Sequence, residues 1–159
     1  MKKYEFTGET KEIRLLFRTA TLHRIRATVA FGIVEVGDLG GWIEKEENLS
    51  HEGKAWVCGD AEVWGNAEVW GNAEVFSASH VLVIGAIGSR NDFTTFYRDK
   101  DNEITVKCGC FLGKIDRFLE KVTQTHGDSK YALVYRAAVE VAKLQIDLSG
   151  EAPKDADEE

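Results

Sequence analysis

Residues 59 to 76 read "GDAEVWGNAEVWGNAEVF", nearly the same six residues three times in succession. Aligned on its glycines, the period runs "GKAWVC", "GDAEVW", "GNAEVW", "GNAEVF" and then the degraded "SASHVL". Ala55, Ala61, Ala67 and Ala73 hold the third place and Val57, Val63, Val69 and Val75 the fifth, with Trp56, Glu62, Glu68 and Glu74 between them. An inward, outward, inward triplet is a strand of minimal length. Glycine followed by Asp or Asn suits positive φ and a tight corner, so the chain is expected to turn every six residues. Residues six apart fall on opposite sides of a 3.6-residue helix, which excludes a helix here.

Strands this short would hardly stand alone in a flat meander, whereas coiling lets each pair with the strand one coil on. Ile43 and Leu49 continue the register upstream, and Val81 and Ile87 downstream, so the period fills residues 37–88. The segment resembles the left-handed parallel β-helix of the hexapeptide-repeat superfamily. That resemblance implies triangular coils of three hexads and a homotrimer. About three coils would give a mainly β stub roughly 14 Å tall.

An open-ended stub needs caps. Residues 1–36 supply alternating apolar positions (Ile13, Leu15, Phe17; Ile25, Ala27, Val29) that read as capping strands. In 89–146, "DFTTFYRDKDNEITVKCGCF" reads as a β-hairpin turning at "DKDN". Ile115, Phe118, Leu119 and Val122 then take helical spacing before Gly127, and Tyr131, Tyr135, Val139, Ala142 and Ile146 mark a second helix. Residues 147–159 form an acidic tail, expected to be disordered. It carries six acids against Lys154, so most of the net charge of −7 belongs to it and the remainder is near neutral. Duplex nucleic acid is therefore not an expected partner.

No apolar window reaches membrane-spanning length and no signal core follows "MKKYEFTGE", so a cytoplasmic protein is expected. The three cysteines, Cys58, Cys108 and Cys110, are expected to be reduced. "CGC" lacks the spacer of a zinc knuckle, and neither a metal nor a cofactor is expected.

Hexapeptide-repeat proteins are often acyltransferases, which need a histidine base. His80 takes an outward place eighteen residues after Glu62, which would stack a base on an orienting carboxylate; a surface histidine with a cross-strand neighbour is the simpler reading. No catalytic residue is assigned. Trp56, Trp64, Trp70 and Phe76 project outward from so narrow a coil and are expected at a trimer interface. The richest polar cluster lies in 88–110, where Arg90, Asn91, Thr94, Thr95, Tyr97, Arg98 and Lys107 offer the groups that hold phosphate and stack a base, and His126 could join them.

The motifs "RIRA", "GDLGGWIEKEENLS", "TTFY", "ITVKCGCFLG" and "THGDSKYA", with the Ala-x-Val repeat, together resemble a group of small bacteriophage and prophage proteins over almost the whole chain. Related phage β-helix families sequester cyclic or modified nucleotide signals of bacterial immunity without cleaving them. The resemblance implies an anti-defence binding protein, not an enzyme, with a small nucleotide as partner. An acyltransferase-like enzyme, or a structural trimer that covers a host enzyme, would be the alternatives.

Overall fold

The computed structural model describes residues 2–150. Two long strands open the chain, β1 (Tyr4–Arg14) and β2 (Thr19–Ala27), followed by β3 (Leu39–Ile43). The repeat then contributes three two-residue strands, β4 (Trp56–Val57), β5 (Glu62–Val63) and β6 (Glu74–Val75). Four strands follow, β7 (Val81–Ile87), β8 (Asp92–Arg98), β9 (Ile104–Cys108) and β10 (Phe111–Lys114). Helices α1 (Ile115–His126) and α2 (Lys130–Gln145) close the order.

These elements form a mixed four-stranded sheet in the order β1-β2-β3-β5, an antiparallel four-stranded sheet in the order β10-β9-β8-β7, and a parallel pair, β4 with β6. The expected three-coil left-handed β-helix is not formed, and the chain is mixed α and β. Parallel pairing is confined to short contacts: Trp42 and Ile43 with Glu62 and Val63, an isolated bridge from Leu49 to Val69, and Trp56 and Val57 with Glu74 and Val75. On both sides the period gives way to antiparallel pairing. Upstream, β3 lies against β2, with His23 opposite Ile43. Downstream, "SASHVLVIGAIG" has lost the Gly-Asx corners. Ser77 accepts a hydrogen bond from the Ser79 N–H and starts a 3₁₀ turn over Ala78–His80. The Val-Leu-Val-Ile run beyond it is a seven-residue strand that pairs antiparallel with β8.

Inward Ala and Val nonetheless do what their size dictates. Ala55, Ala61, Ala73, Val57, Val63, Val69 and Val75 are fully or almost fully buried, and together with Tyr4, Ile25, Ile43, Leu49 and Trp56 they make the first core. The corner glycines Gly59, Gly65 and Gly71 have φ of 61°, 65° and 69°, a region that favours glycine. The second core lies between the antiparallel sheet and the two helices, around Phe96, Val106, Phe118, Tyr135, Val139 and Ala142. β8 serves both, because Phe96 and Tyr97 are successive residues on opposite faces. On β7, Val81 and Val83 pack on the first core, and Leu82 and Ile84 on the second.

The N-terminal strands are part of the first core, not a lid over it. Tyr4 stacks on His51 at 4.0 Å and its hydroxyl donates to the Leu49 carbonyl at 2.7 Å. Buried Lys3 donates from Nζ to the Ala55 carbonyl at 2.7 Å. Of the acidic tail, residues 151–159 lie outside the described part of the chain.

Burial lowers the Lys3 amine to about 8 from an ordinary value near 10.5. Between those values the unfolded chain holds more proton than the folded one, so this group makes stability rise with pH, and its penalty is fully present below pH 8. The expected outcome is a wild-type stability that gains on a Lys3→Met variant as pH rises from about 8 to about 10.5. Urea midpoints measured across that range check it, and a pH-independent difference would refute it.

Candidate cavity beneath the strand turns

The turns β7–β8 and β9–β10 meet over the side of α1 and enclose a cavity of about 210 Å³. Its floor is aromatic and aliphatic: Phe111, Phe118, Val122 and Tyr135. Phe118 stands edge-on to Tyr135 at 5.7 Å, and His126 stacks on Tyr135 at 5.7 Å. The rim is polar, with Arg90 and Asp92 from one turn, Cys108 and Cys110 from the other, and Lys121 and Thr125 from α1.

Local sequence explains the rim. "GSRN" makes a turn in which the Asn91 N–H donates to the Gly88 carbonyl at 3.3 Å, with φ of 76° at Gly88 and 52° at Asn91. "CGC" makes a two-residue hairpin loop in which Cys108 pairs with Phe111 and Gly109 has φ of 57°. A β-carbon on Gly109 would lie 3.1 Å from Arg90 Nη1, so the guanidinium rests on this bare loop. Arg90 and Lys121 are both exposed, and neither forms an ion pair with a carboxylate of the described residues. The Tyr135 hydroxyl is held above its ordinary pKa by burial and by the neighbouring Cys108, and stays protonated. Two cations without an ion pair among the described residues, and a histidine, over a ring-lined floor favour an anion with an apolar part.

Of the residues expected to bind ligand, Arg90 and His126 line this cavity and Asn91 shapes its turn. The others are placed elsewhere. Thr94 is buried, with its hydroxyl 3.4 Å from Cys108 Sγ. Thr95 accepts from the Glu68 N–H at 3.0 Å and Tyr97 is fully buried, both in the seam between the sheet and the repeat. Arg98 is buried over the Phe76 ring at 5.0 Å. Desolvation lowers its pKa, and Glu74 opposes that shift.

Lys107 is 7% exposed; it donates to the Gly109 carbonyl, lies 3.4 Å from Glu68 Oε2 and covers the Trp70 ring at 4.7 Å. It lines a second, polar cavity of about 250 Å³ with Lys45, Asn66, Glu68, Trp70 and Phe93; Asp92 and Gly109 border both cavities. Sequence reasoning missed Lys121, Phe111 and Tyr135. They are scattered over three elements, and only the packing of α1 and α2 on the sheet brings them together.

The aromatic residues expected between subunits are also placed. Trp56 is 3% exposed, because Tyr4 and Phe31 meet it edge-on within its own chain. Trp70 and Phe76 are half-buried under Lys107 and Arg98, while Trp64 is exposed. His80 and Glu62 do not form a dyad. His80 Nδ1 accepts from the Phe76 N–H at 3.1 Å, and Glu62 pairs with Lys11 at 2.7 Å. Burial lowers the His80 pKa, with Arg98 adding to the effect.

No family model and no curated protein matches the chain. No described helix is long and apolar enough to cross a membrane.

Gly88 is the position on which the cavity depends most directly. A β-carbon there would lie 1.9 Å from the Tyr135 hydroxyl, in a backbone conformation that L side chains rarely adopt. Gly88→Ala is expected to cost about 2–4 kcal/mol through backbone strain and displacement of Tyr135. A guanidinium midpoint that falls with unchanged slope, together with a changed environment of the Tyr135 ring in NMR, is the check.

Proposed function

We propose that the chain is a binding protein that holds a small phosphorylated nucleotide without cleaving it, with one nucleotide unit at the cavity between the strand turns and α1. The observation that carries this reading is that Arg90 and Lys121, neither ion-paired among the described residues, stand over a floor of Phe111, Phe118 and Tyr135. The guanidinium and ammonium groups suit phosphate oxygens, and the rings suit a base. At about 210 Å³ the cavity is below the usual size for a drug-sized ligand, about 300–1,000 Å³, so one base or one phosphate-bearing unit is the fitting occupant. The wider role, sequestering a nucleotide signal of bacterial immunity on behalf of a phage, rests on the quoted sequence motifs and not on the cavity.

Sequestration needs affinity without turnover. His80 Nδ1 is occupied as an acceptor, and among the described residues neither His80 nor His126 is hydrogen-bonded to a thiol or hydroxyl. Thermal shift against cyclic mononucleotides, cyclic di- and trinucleotides, ADP-ribose and inorganic phosphate tests the reading. Stabilisation by a nucleotide is expected, weakened at least about tenfold in apparent affinity by Arg90→Ala or Lys121→Ala, since a charge-assisted hydrogen bond contributes about 1.5–3 kcal/mol. The bound nucleotide is expected back unchanged after heat release. No shift with any nucleotide, or an equal shift in both variants, sinks the proposal.

A further inference from the structure

The cavity over α1 has a neighbour. The second, polar cavity of about 250 Å³ adjoins it, and Asp92 and Gly109 border both. Each combines aromatic rings with cations: Phe111, Phe118 and Tyr135 with Arg90 and Lys121 in the first, Trp70 and Phe93 with Lys107 in the second. Either alone is smaller than the usual small-ligand site of about 300–1,000 Å³, and the two together fall within that range. The border between them is low and cationic. Gly109 has no side chain, and a β-carbon there would lie 3.1 Å from Arg90 Nη1. From the other cavity, Lys107 Nζ donates to the Gly109 carbonyl. Two cations from different cavities thus converge on one bare residue. The neighbouring acids are accounted for. Asp92 Oδ1 accepts from the Phe93 N–H at 2.7 Å, and Glu68 Oε2 lies 3.4 Å from Lys107 Nζ, with its side chain 47% exposed. Lys45 and Glu47 add one charge of each sign to the second cavity.

We propose that the two cavities take one ligand made of two nucleoside units joined through phosphate, with a base in each cavity and the linking phosphate over Gly109, between Arg90 and Lys107. The inference rests on the nucleotide reading above and adds a second subsite to it. Phosphate is the group that two converging cations select. The second cavity suits a base better than a second phosphate, because its rings are accompanied by the acceptors of Glu68 and Asp92 and by the Asn66 amide. Asp92, on the border, is placed to accept from a base amine or a ribose hydroxyl. Joining the two units makes the second contact intramolecular, which raises affinity about 10²–10⁴-fold over a single unit. A phosphodiester and a pyrophosphate link share this chemistry.

Isothermal titration calorimetry on the full chain tests this. Adenosine and guanosine monophosphates are compared with their linear and cyclic phosphodiester-linked dinucleotides and with the pyrophosphate-linked dinucleosides. At least one two-unit ligand is expected to bind at least about a hundredfold tighter than its mononucleotide. Asn66 lies at an exposed corner and borders the second cavity alone, so Asn66→Trp fills that cavity without disturbing a core. The variant is expected to bring the ratio of the two affinities below about tenfold, with its circular dichroism and thermal midpoint at wild-type values. Phe93→Ala, which removes a ring from the same cavity, lowers the ratio in the same direction. A mononucleotide that binds as tightly as every two-unit ligand, or a ratio indifferent to both substitutions, overturns this inference and leaves the one-unit reading standing. No binding of any nucleotide removes both.

Discussion

The two halves of the molecule hang on the alternation of one strand. In β8 consecutive side chains must point to opposite faces, and here one face is the repeat and the other the helical layer. Phe96 goes to the second core and Tyr97 to the first, and both are fully buried. Thr95 adds a hydrogen bond to the Glu68 backbone, and from the neighbouring strand Lys107 covers Trp70. A shift of β8 by one residue would send Tyr97 among the helices and Phe96 into the narrow repeat, so the strand's register is fixed from two sides. The turn before β8 and the turn after its neighbour β9 then meet in one place over α1, which is why a cavity forms there.

This seam explains which parts of the architecture are legible from sequence. Inward Ala and Val, the corner glycines and the helical spacing of Phe118 and Val122 are local signals, because period and size alone decide where those residues go. Ending the repeat is not a local decision. "SASHVL" retains Val81 in register, and only the availability of β8 as a long antiparallel partner turns Val81–Ile87 into a long sheet strand and not another two-residue strand. Trp56 shows the same limit. Its place between Ala55 and Val57 says outward, but what lies outside it is Tyr4 and Phe31 of the same chain.

The candidate site divides in the same way. "SRND" is visibly a polar turn with one arginine, so Arg90 can be singled out from the sequence. Thr94, Thr95, Tyr97, Arg98 and Lys107 share its neighbourhood in sequence, but a strand buried on both faces leaves its polar residues to serve as connectors. Lys121 arrives from a helix thirty-one residues after Arg90, and Tyr135 from the next helix. Composition could name the chemistry of the region but could not say which of its members share one space.

Asn48 lies within one regular step of the repeat and holds it to its neighbour. Before and after the 3₁₀ turn Glu46–Asn48 the pairings, Ile43 with Val63 and Leu49 with Val69, join residues twenty apart; from Trp56 with Glu74 they join residues eighteen apart, so the two extra residues lie between Leu49 and Trp56. In the 3₁₀ turn the wholly buried Asn48 amide donates to the carbonyls of Gly65 and Ala67, and its oxygen accepts from the Lys45 N–H. One side chain thus ties the 3₁₀ turn to the chain at Gly65 and Ala67 and leaves none of its own polar atoms unmet. A chain without this amide would leave three backbone groups without their partner at once. In so short a repeat, a single buried amide fastens one turn of chain to its neighbour.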